Sequence, residues 1–246
     1  MTPTNSSSPS QRILQVVTNV SAYESDPSNL TGLWLSELTH SYETFEQAGF
    51  EQVIVSPLGG KSPLEPRSLK FPNLDASAKA WLNNPERMKL LEETKSPNQV
   101  NAADFDAIFF TGGHSVMYDF PTNEGLQKLT REIYEHGGVV ASVCHGYCGL
   151  LETKLSDGTP LLTGKHITGF SWREEVLAGV AKLVPYNVEQ KVKDLRAHYS
   201  KGLIPFTPFA QVDGRLVTGQ NPASAKTTAQ KTVELLRSLG NTTRPA

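Results

Sequence analysis

Two short apolar runs, Ala107–Phe110 (AIFF) and Val139–Val143 (VVASV), show no polar alternation, and each opens straight into a glycine-containing turn. Strands of that kind are buried on both faces, which requires a largely parallel sheet with helices on either side. The rest of the chain agrees with this requirement. Residues 12–20 (RILQVVTNV) read as a first strand and residues 33–48 as a helix, with Leu35, Leu38, Tyr42 and Phe45 at three- and four-residue intervals and Gly49 as its stop. Residues 52–56 form a second short strand, ended by Pro57 and Gly59-Gly60. Helices are predicted over 125–136, just beyond Cys144 through Leu151, over 187–196 and over 224–239, with a short strand at Ile167. Asp213-Gly214 between residues 209–212 and 215–218 is a two-residue hairpin signal. Residues 61–103 are rich in Pro, Asn and Ser and read as an irregular insertion with helices at 75–82 and 85–95. The expectation is one α/β domain over 12–239, a disordered leader over 1–11 and a disordered tail over 240–246.

Charge and cysteine usage narrow the function. A net charge of −2, with basic residues scattered, provides no field for nucleic acid or anionic lipid. No apolar run is long enough to span a bilayer, and the first ten residues lack the features of a secretory signal. Two cysteines, four positions apart, make no disulfide framework, and the expected location is the reducing cytoplasm. Cys-x3-Cys is not a zinc motif, and His40, His136, His166 and His198 lack metal-ligand spacing, so no metal or cofactor is expected.

The segment GGVVASVCHGYCGLL, from Gly137 to Leu151, carries the chemistry. A buried strand ends at Cys144 and Gly146 follows, the strand–turn–helix pattern of a nucleophile elbow. N–H groups at a helix start favour negative charge, so the Cys144 thiol is expected to titrate below a free cysteine. The alternative is a buried structural cysteine at a strand end. His145 is either the base partner or simply the start of the helix, and Cys148 reads as packing. After the other buried strand, Thr111-Gly112-Gly113-His114 could turn backbone N–H groups toward a substrate oxygen, with His114 lining the pocket.

Five blocks, TGLWLSELTHSYETFEQAGFEQVIVSPLGG, FFTGGHSVMYDFP, VASVCHGYCGLL, KHITGFSWREE and DGRLVTGQNPASA, occur in one order over nearly the whole chain. Together they resemble the ThiJ/PfpI superfamily, and within it the glyoxalase III and stress-inducible chaperone branch. The resemblance implies an α/β, flavodoxin-like fold of the class I glutamine amidotransferase type, with a mostly parallel central sheet between helices. It places the nucleophile on Cys144, its histidine on His145 and that histidine's acidic partner on Glu175, with Glu174 as competitor. It places a glutamate near the thiol on Glu37 and backbone donors on Gly113 and His145. Ser115 stands where relatives often have glycine. On the residues alone, Glu37 and the Glu174–Glu175 pair would pass as solvated helix surface.

The activity implied is glutathione- and metal-independent conversion of methylglyoxal to lactate through a Cys144 hemithioacetal, with a small reactive aldehyde as substrate. Unfolded or glycated proteins, as clients or deglycation substrates, and a homodimer are also implied by the family. Glutamine amidotransferases of this fold use a late His-x-Glu motif. This sequence has none, which disfavours amide chemistry and leaves peptide hydrolysis behind it. A third alternative is an oxidative-stress protein whose Cys144 is oxidised instead of turning over substrate.

Overall fold

The structure, a computed structural model, describes residues 11–240. The leader and tail expected at 1–11 and 240–246 lie, apart from Gln11 and Gly240, outside the described residues. The strands are β1 (Arg12–Val16), β2 (Ala22–Tyr23), β3 (Asp26–Leu30), β4 (Glu51–Val55), β5 (Ala107–Phe110), β6 (Val139–Val143), β7 (His166–Ile167), β8 (His198–Tyr199), β9 (Ala210–Asp213) and β10 (Leu216–Gly219). The α-helices are α1 (Leu35–Gln47), α2 (Ala76–Leu82), α3 (Pro85–Glu92), α4 (Val116–Asp119), α5 (Glu124–Glu135), α6 (Trp172–Leu177), α7 (Val188–Asp194) and α8 (Ala225–Gly240).

Six strands make the central sheet in the order β4-β1-β5-β6-β10-β9. All neighbouring pairs are parallel except β9–β10, the hairpin signalled by Asp213-Gly214. Counting only the parallel strands, this is the doubly wound order 2-1-3-4-5, whose ligand crevice lies where consecutive connections leave in opposite directions, between β1 and β5.

Period-two alternation splits the strand residues between two cores. Ile13, Phe109, Ala141 and Val217 pack with Phe45 of α1 and Val233 and Leu236 of α8. Leu14, Ile108, Phe110 and Val140 face the other way, onto Leu126, Leu129 and Ile133 of α5. Among the described residues, no helix is long and apolar enough to cross a membrane.

Local chemistry moved several expected boundaries. The first strand stops at Val16 instead of residue 20. From Thr18 onward, side chains supply the backbone's partners. Thr18 Oγ1 and the Asn19 N–H both donate to Asp119 Oδ2, and Asn19 Nδ2 bridges to the carbonyls of Gly59 and Lys61. The helix expected to 95 ends at Glu92, because Lys95 pairs instead with the end of β4, donating to Ile54 O and accepting from the Ser56 N–H. After β6 a 3₁₀ helix, Cys144–Leu150, begins on Cys144 itself. Its close approach to β5 needs glycine: a Cβ on Gly146 would overlap Phe110 O. The small β2–β3 hairpin, α4, α6 and β8 had not been read from the sequence.

Candidate active site

Cys144 sits at the C-terminal end of β6 with φ +56°, a left-handed conformation that disfavours any side chain. That backbone turn lifts the thiol out of the sheet direction and toward its neighbour, so that Sγ lies 3.3 Å from His145 Nδ1. The far side of the same ring, Nε2, lies 2.9 Å from Glu175 Oε1. Adjacent residues rarely cooperate in regular structure, and here the irregular backbone permits it.

Glu175 stands in the first turn of α6, which a Ser171/Glu174 capping box starts. The two candidate carboxylates are thereby separated. Glu175 touches both His145 and, through Oε2 at 3.0 Å, His114 Nε2. Glu174 touches neither. It accepts from Ser171 N–H, Phe206 N–H and Asn221 Nδ2, and so ties together the pocket wall. Burial alone would raise the Glu175 carboxyl, but the two imidazoles and their hydrogen bonds hold it below the usual carboxylate range.

Glu37, in the first turn of α1, is fully buried, so it is no part of a solvated face. Its Oε2 accepts from the Gly112 N–H at 2.6 Å, its Oε1 is buried with no hydrogen-bond partner among the described residues, and the carboxyl is electrostatically coupled to the Cys144 thiol. Burial, only partly offset by those contacts, pushes Glu37 up to about 8, so it holds a proton at neutral pH. This corrects the expectation for Cys144. Burial first, then the charge of Glu37, push the thiol well above its ordinary value, where a depressed thiol had been expected at a helix start. The backbone N–H of His145 favours the thiolate, but by less than burial and Glu37 disfavour it.

Gly112 had been expected among the oxyanion donors, but its N–H is committed to Glu37. It is a spacer: a Cβ there would lie 2.7 Å from the His145 nitrogen and 3.0 Å from Glu37 Oε2. The Gly113 N–H has no protein partner among the described residues, and the His145 N–H leans on the Cys144 sulfur. Gly113 has φ +118°, and a Cβ there would overlap Gly32 O. Ser115 is buried.

His114 is buried against Tyr23, His145 and Phe170. Its second nitrogen, Nδ1, lies 2.8 Å from Arg67 Nη2. Arg67 in turn donates its Nε–H to Glu65 Oε1 at 2.8 Å, and the two hydrogens of Nη2 are shared among Glu65 Oε2, the Tyr23 hydroxyl and His114 Nδ1. Sequence reasoning missed Arg67, Glu65 and Tyr23. Glu65-Pro66-Arg67 looks like solvated surface in a polar insertion, and nothing in its spacing signals that it reaches the site.

These groups open on a cavity of about 600 Å³ walled by Trp34, Phe71, Phe170, Phe206 and Asn221, with Cys144 reaching it. Ligand atoms of His114, His145 and Glu175 lie within 4.8 Å of one another, a density that could in principle hold a cation. Each of these atoms is already satisfied by another of the three, so the cluster reads as a hydrogen-bonded relay.

A cysteine at a strand end, backed by histidine and glutamate at the crevice of a doubly wound sheet, defines a cysteine-centred α/β class. Within it, a family model of the DJ-1/PfpI family matches residues 31–235, and the chain belongs to that family. It is 37% identical over 216 residues, 84% of this chain and 90% of the relative, to "Glutathione-independent glyoxalase HSP31" of Saccharomyces cerevisiae. The crystal structure of glyoxalase III from Candida albicans superposes with a TM-score of 0.83 at 30% identity, covering 92% of this chain and 97% of that one. Rapid Encystment Protein 24 KDa of Francisella tularensis gives a TM-score of 0.87 at 32% identity over 92% and 99%.

Proposed function

We propose that this protein is a glutathione-independent glyoxalase that converts methylglyoxal and water to D-lactate at Cys144. The observation that carries this reading is the hydrogen-bonded relay Cys144–His145–Glu175, with the buried Glu37 electrostatically coupled to the thiol and a Gly113 N–H that has no protein partner among the described residues. It is the equipment for moving protons about a carbonyl, and the relatives named as glyoxalases support it.

In this reading the thiol is protonated at rest, and His145 takes its proton as sulfur bonds to the aldehyde carbon. Glu175 balances the imidazolium, and the Gly113 and His145 N–H groups hold the oxyanion. His145 returns the proton to that oxygen, giving a hemithioacetal. It then removes the hydrogen on the same carbon as a proton while Glu37 protonates the neighbouring ketone oxygen, giving an enediol. Return of a proton to the second carbon, with loss of one from the first hydroxyl, leaves a lactoyl thioester on Cys144. Water cleaves it and restores the thiol. No electron leaves the substrate, because one carbon is oxidised as its neighbour is reduced.

Brief exposure of Glu37→Gln protein to methylglyoxal, followed by peptide mapping, tests the covalent step. The mass of one methylglyoxal on the Cys144 peptide is expected, absent in Cys144→Ala. Adducts confined to arginine and lysine peptides would refute it.

One observation favours a second activity on larger carbonyl adducts or unfolded clients. Phe71 at the pocket is 95% exposed, and Leu203 and Ile204, in the same segment as pocket-lining Phe206, are exposed too. Holding of a client should survive Cys144→Ser, whereas deglycation should not.

A further inference from the structure

We propose that Arg67 is a positioning residue that fixes His114 as the neutral Nε2–H tautomer and so reserves the charge of Glu175 for His145. The inference rests on the proposed function only in assigning His145 the thiol proton. The tautomer itself follows from donor and acceptor chemistry. A guanidinium has hydrogens and no lone pair to offer, so at 2.8 Å from Arg67 Nη2 the His114 Nδ1 must be the acceptor. The ring hydrogen is then on Nε2, where it donates to Glu175 Oε2 at 3.0 Å.

Glu175 thus faces two imidazoles with one negative charge. If both rings could protonate, they would compete for it, with their centroids only 4.4 Å apart. Protonating His114 would turn an Nδ1–H onto the Arg67 N–H groups and set a second cation beside His145. Arg67 forbids it, and Arg67 is itself locked in place. Glu65, fully buried, accepts from its Nε at 2.8 Å and its Nη2 at 3.0 Å, and takes a further bond from Thr31 Oγ1 at 2.9 Å. The groups around His114 are therefore Arg67 with Glu65 behind it from the 3₁₀ turn Pro66–Leu69, Glu175 from α6, His145 from the 3₁₀ helix, and Tyr23 from β2. Its direction of titration agrees: burial, then His145, press His114 below the ordinary histidine value against the pull of Glu175.

The test is long-range proton–nitrogen NMR of the histidine rings in the full chain, with His114 assigned by His114→Gln, beside the pH profile of kcat/KM for methylglyoxal. In the wild type, His114 should show a protonated Nε2 and a bare Nδ1, unchanged from about pH 8 down to about pH 5.5. Arg67→Gln alone would strand the buried Glu65, so the informative variant is Glu65→Gln/Arg67→Gln. There His114 should titrate near the ordinary ~6.5, its positive charge should then compete with His145 for Glu175, and kcat/KM should fall about tenfold more than in the wild type between pH 8 and 5.5. Arg67→Lys, which keeps charge and donor, should restore a neutral His114.

A wild-type His114 carrying Nδ1–H or an imidazolium would overturn the proposal. So would a double variant whose activity drops by one factor at every pH while His114 stays neutral, since that is a merely structural effect. Absence of lactate from the wild type, with the ring behaviour as described, would fail the glyoxalase reading and leave the assignment of Arg67 standing.

Discussion

Replacing Glu37 by glutamine should stabilise the protein increasingly as pH rises, while removing its activity. Glu37 titrates at 4.5 when exposed and at about 8 in its buried place. Its folded value is raised, so the folded state binds the extra proton between those limits. The stability that this proton confers is fully present below about 4.5 and is lost as pH climbs to about 8. At about 1.4 kcal/mol per pH unit, the wild type loses about 5 kcal/mol across that window relative to a side chain that cannot ionise. Glutamine keeps an oxygen for the Gly112 N–H and brings no charge. Its altered contact with Cys144 adds a constant offset that drops out of the slope. Urea denaturation of wild type and Glu37→Gln at several values between pH 5 and 8 reads the difference directly. The variant should gain on the wild type steadily over that range. A flat difference, or a wild type that gains as pH rises, would refute the claim that Glu37 is a proton-holding acid in the folded protein.

Other substitutions separate the parts of the site. Glu175→Gln should keep the fold and lower kcat by ~10² or more, because the imidazolium loses its counter-charge. Glu174→Ala should instead cost about 3 kcal/mol in a denaturation assay and raise KM, since it takes the acceptor from the Phe206 and Ser171 N–H groups and leaves Asn221 Nδ2 with Thr207 O alone at the pocket wall. Gly112→Ala should cost about 1–3 kcal/mol and depress turnover, as its Cβ would press on the His145 nitrogen and Glu37. Iodoacetamide should alkylate Cys144 slowly near neutral pH and faster as pH rises, and above about pH 8, where Glu37 is ionised in the wild type, faster still in Glu37→Gln.

The sheet was legible because two of its inner strands carry no alternation of apolar and polar residues: AIFF is wholly apolar and VVASV has only Ser142 among its apolar residues, the pattern of strands buried on both faces. The position of Cys144 was legible for a related reason, since it follows the second of them and Gly146 must be small where it meets Phe110 O. Glu37 was not legible from its own neighbourhood. A glutamate among leucines on a helix reads as surface until the fold turns that helix's first turn into the crevice. The resemblance placed the histidine's partner on Glu175 with Glu174 as competitor, and the Ser171–Glu174 capping spacing, in plain view in the sequence, would have assigned Glu174 a structural task. The depressed thiol failed because helix-start logic says nothing about burial, which dominates here. Glu65 and Arg67 were hidden most thoroughly. Their role depends on an irregular segment folding back over β5's exit loop, and no local periodicity encodes that.

The most direct test of the account is quantification of D-lactate from purified protein and methylglyoxal in glutathione-free buffer, with Cys144→Ala alongside. Loss of methylglyoxal alone is insufficient, because the arginines and lysines of any protein consume it. The account predicts catalytic D-lactate from the wild type and none from a folded Cys144→Ala. Absence of D-lactate from the folded wild type, or equal amounts from both proteins, would contradict it.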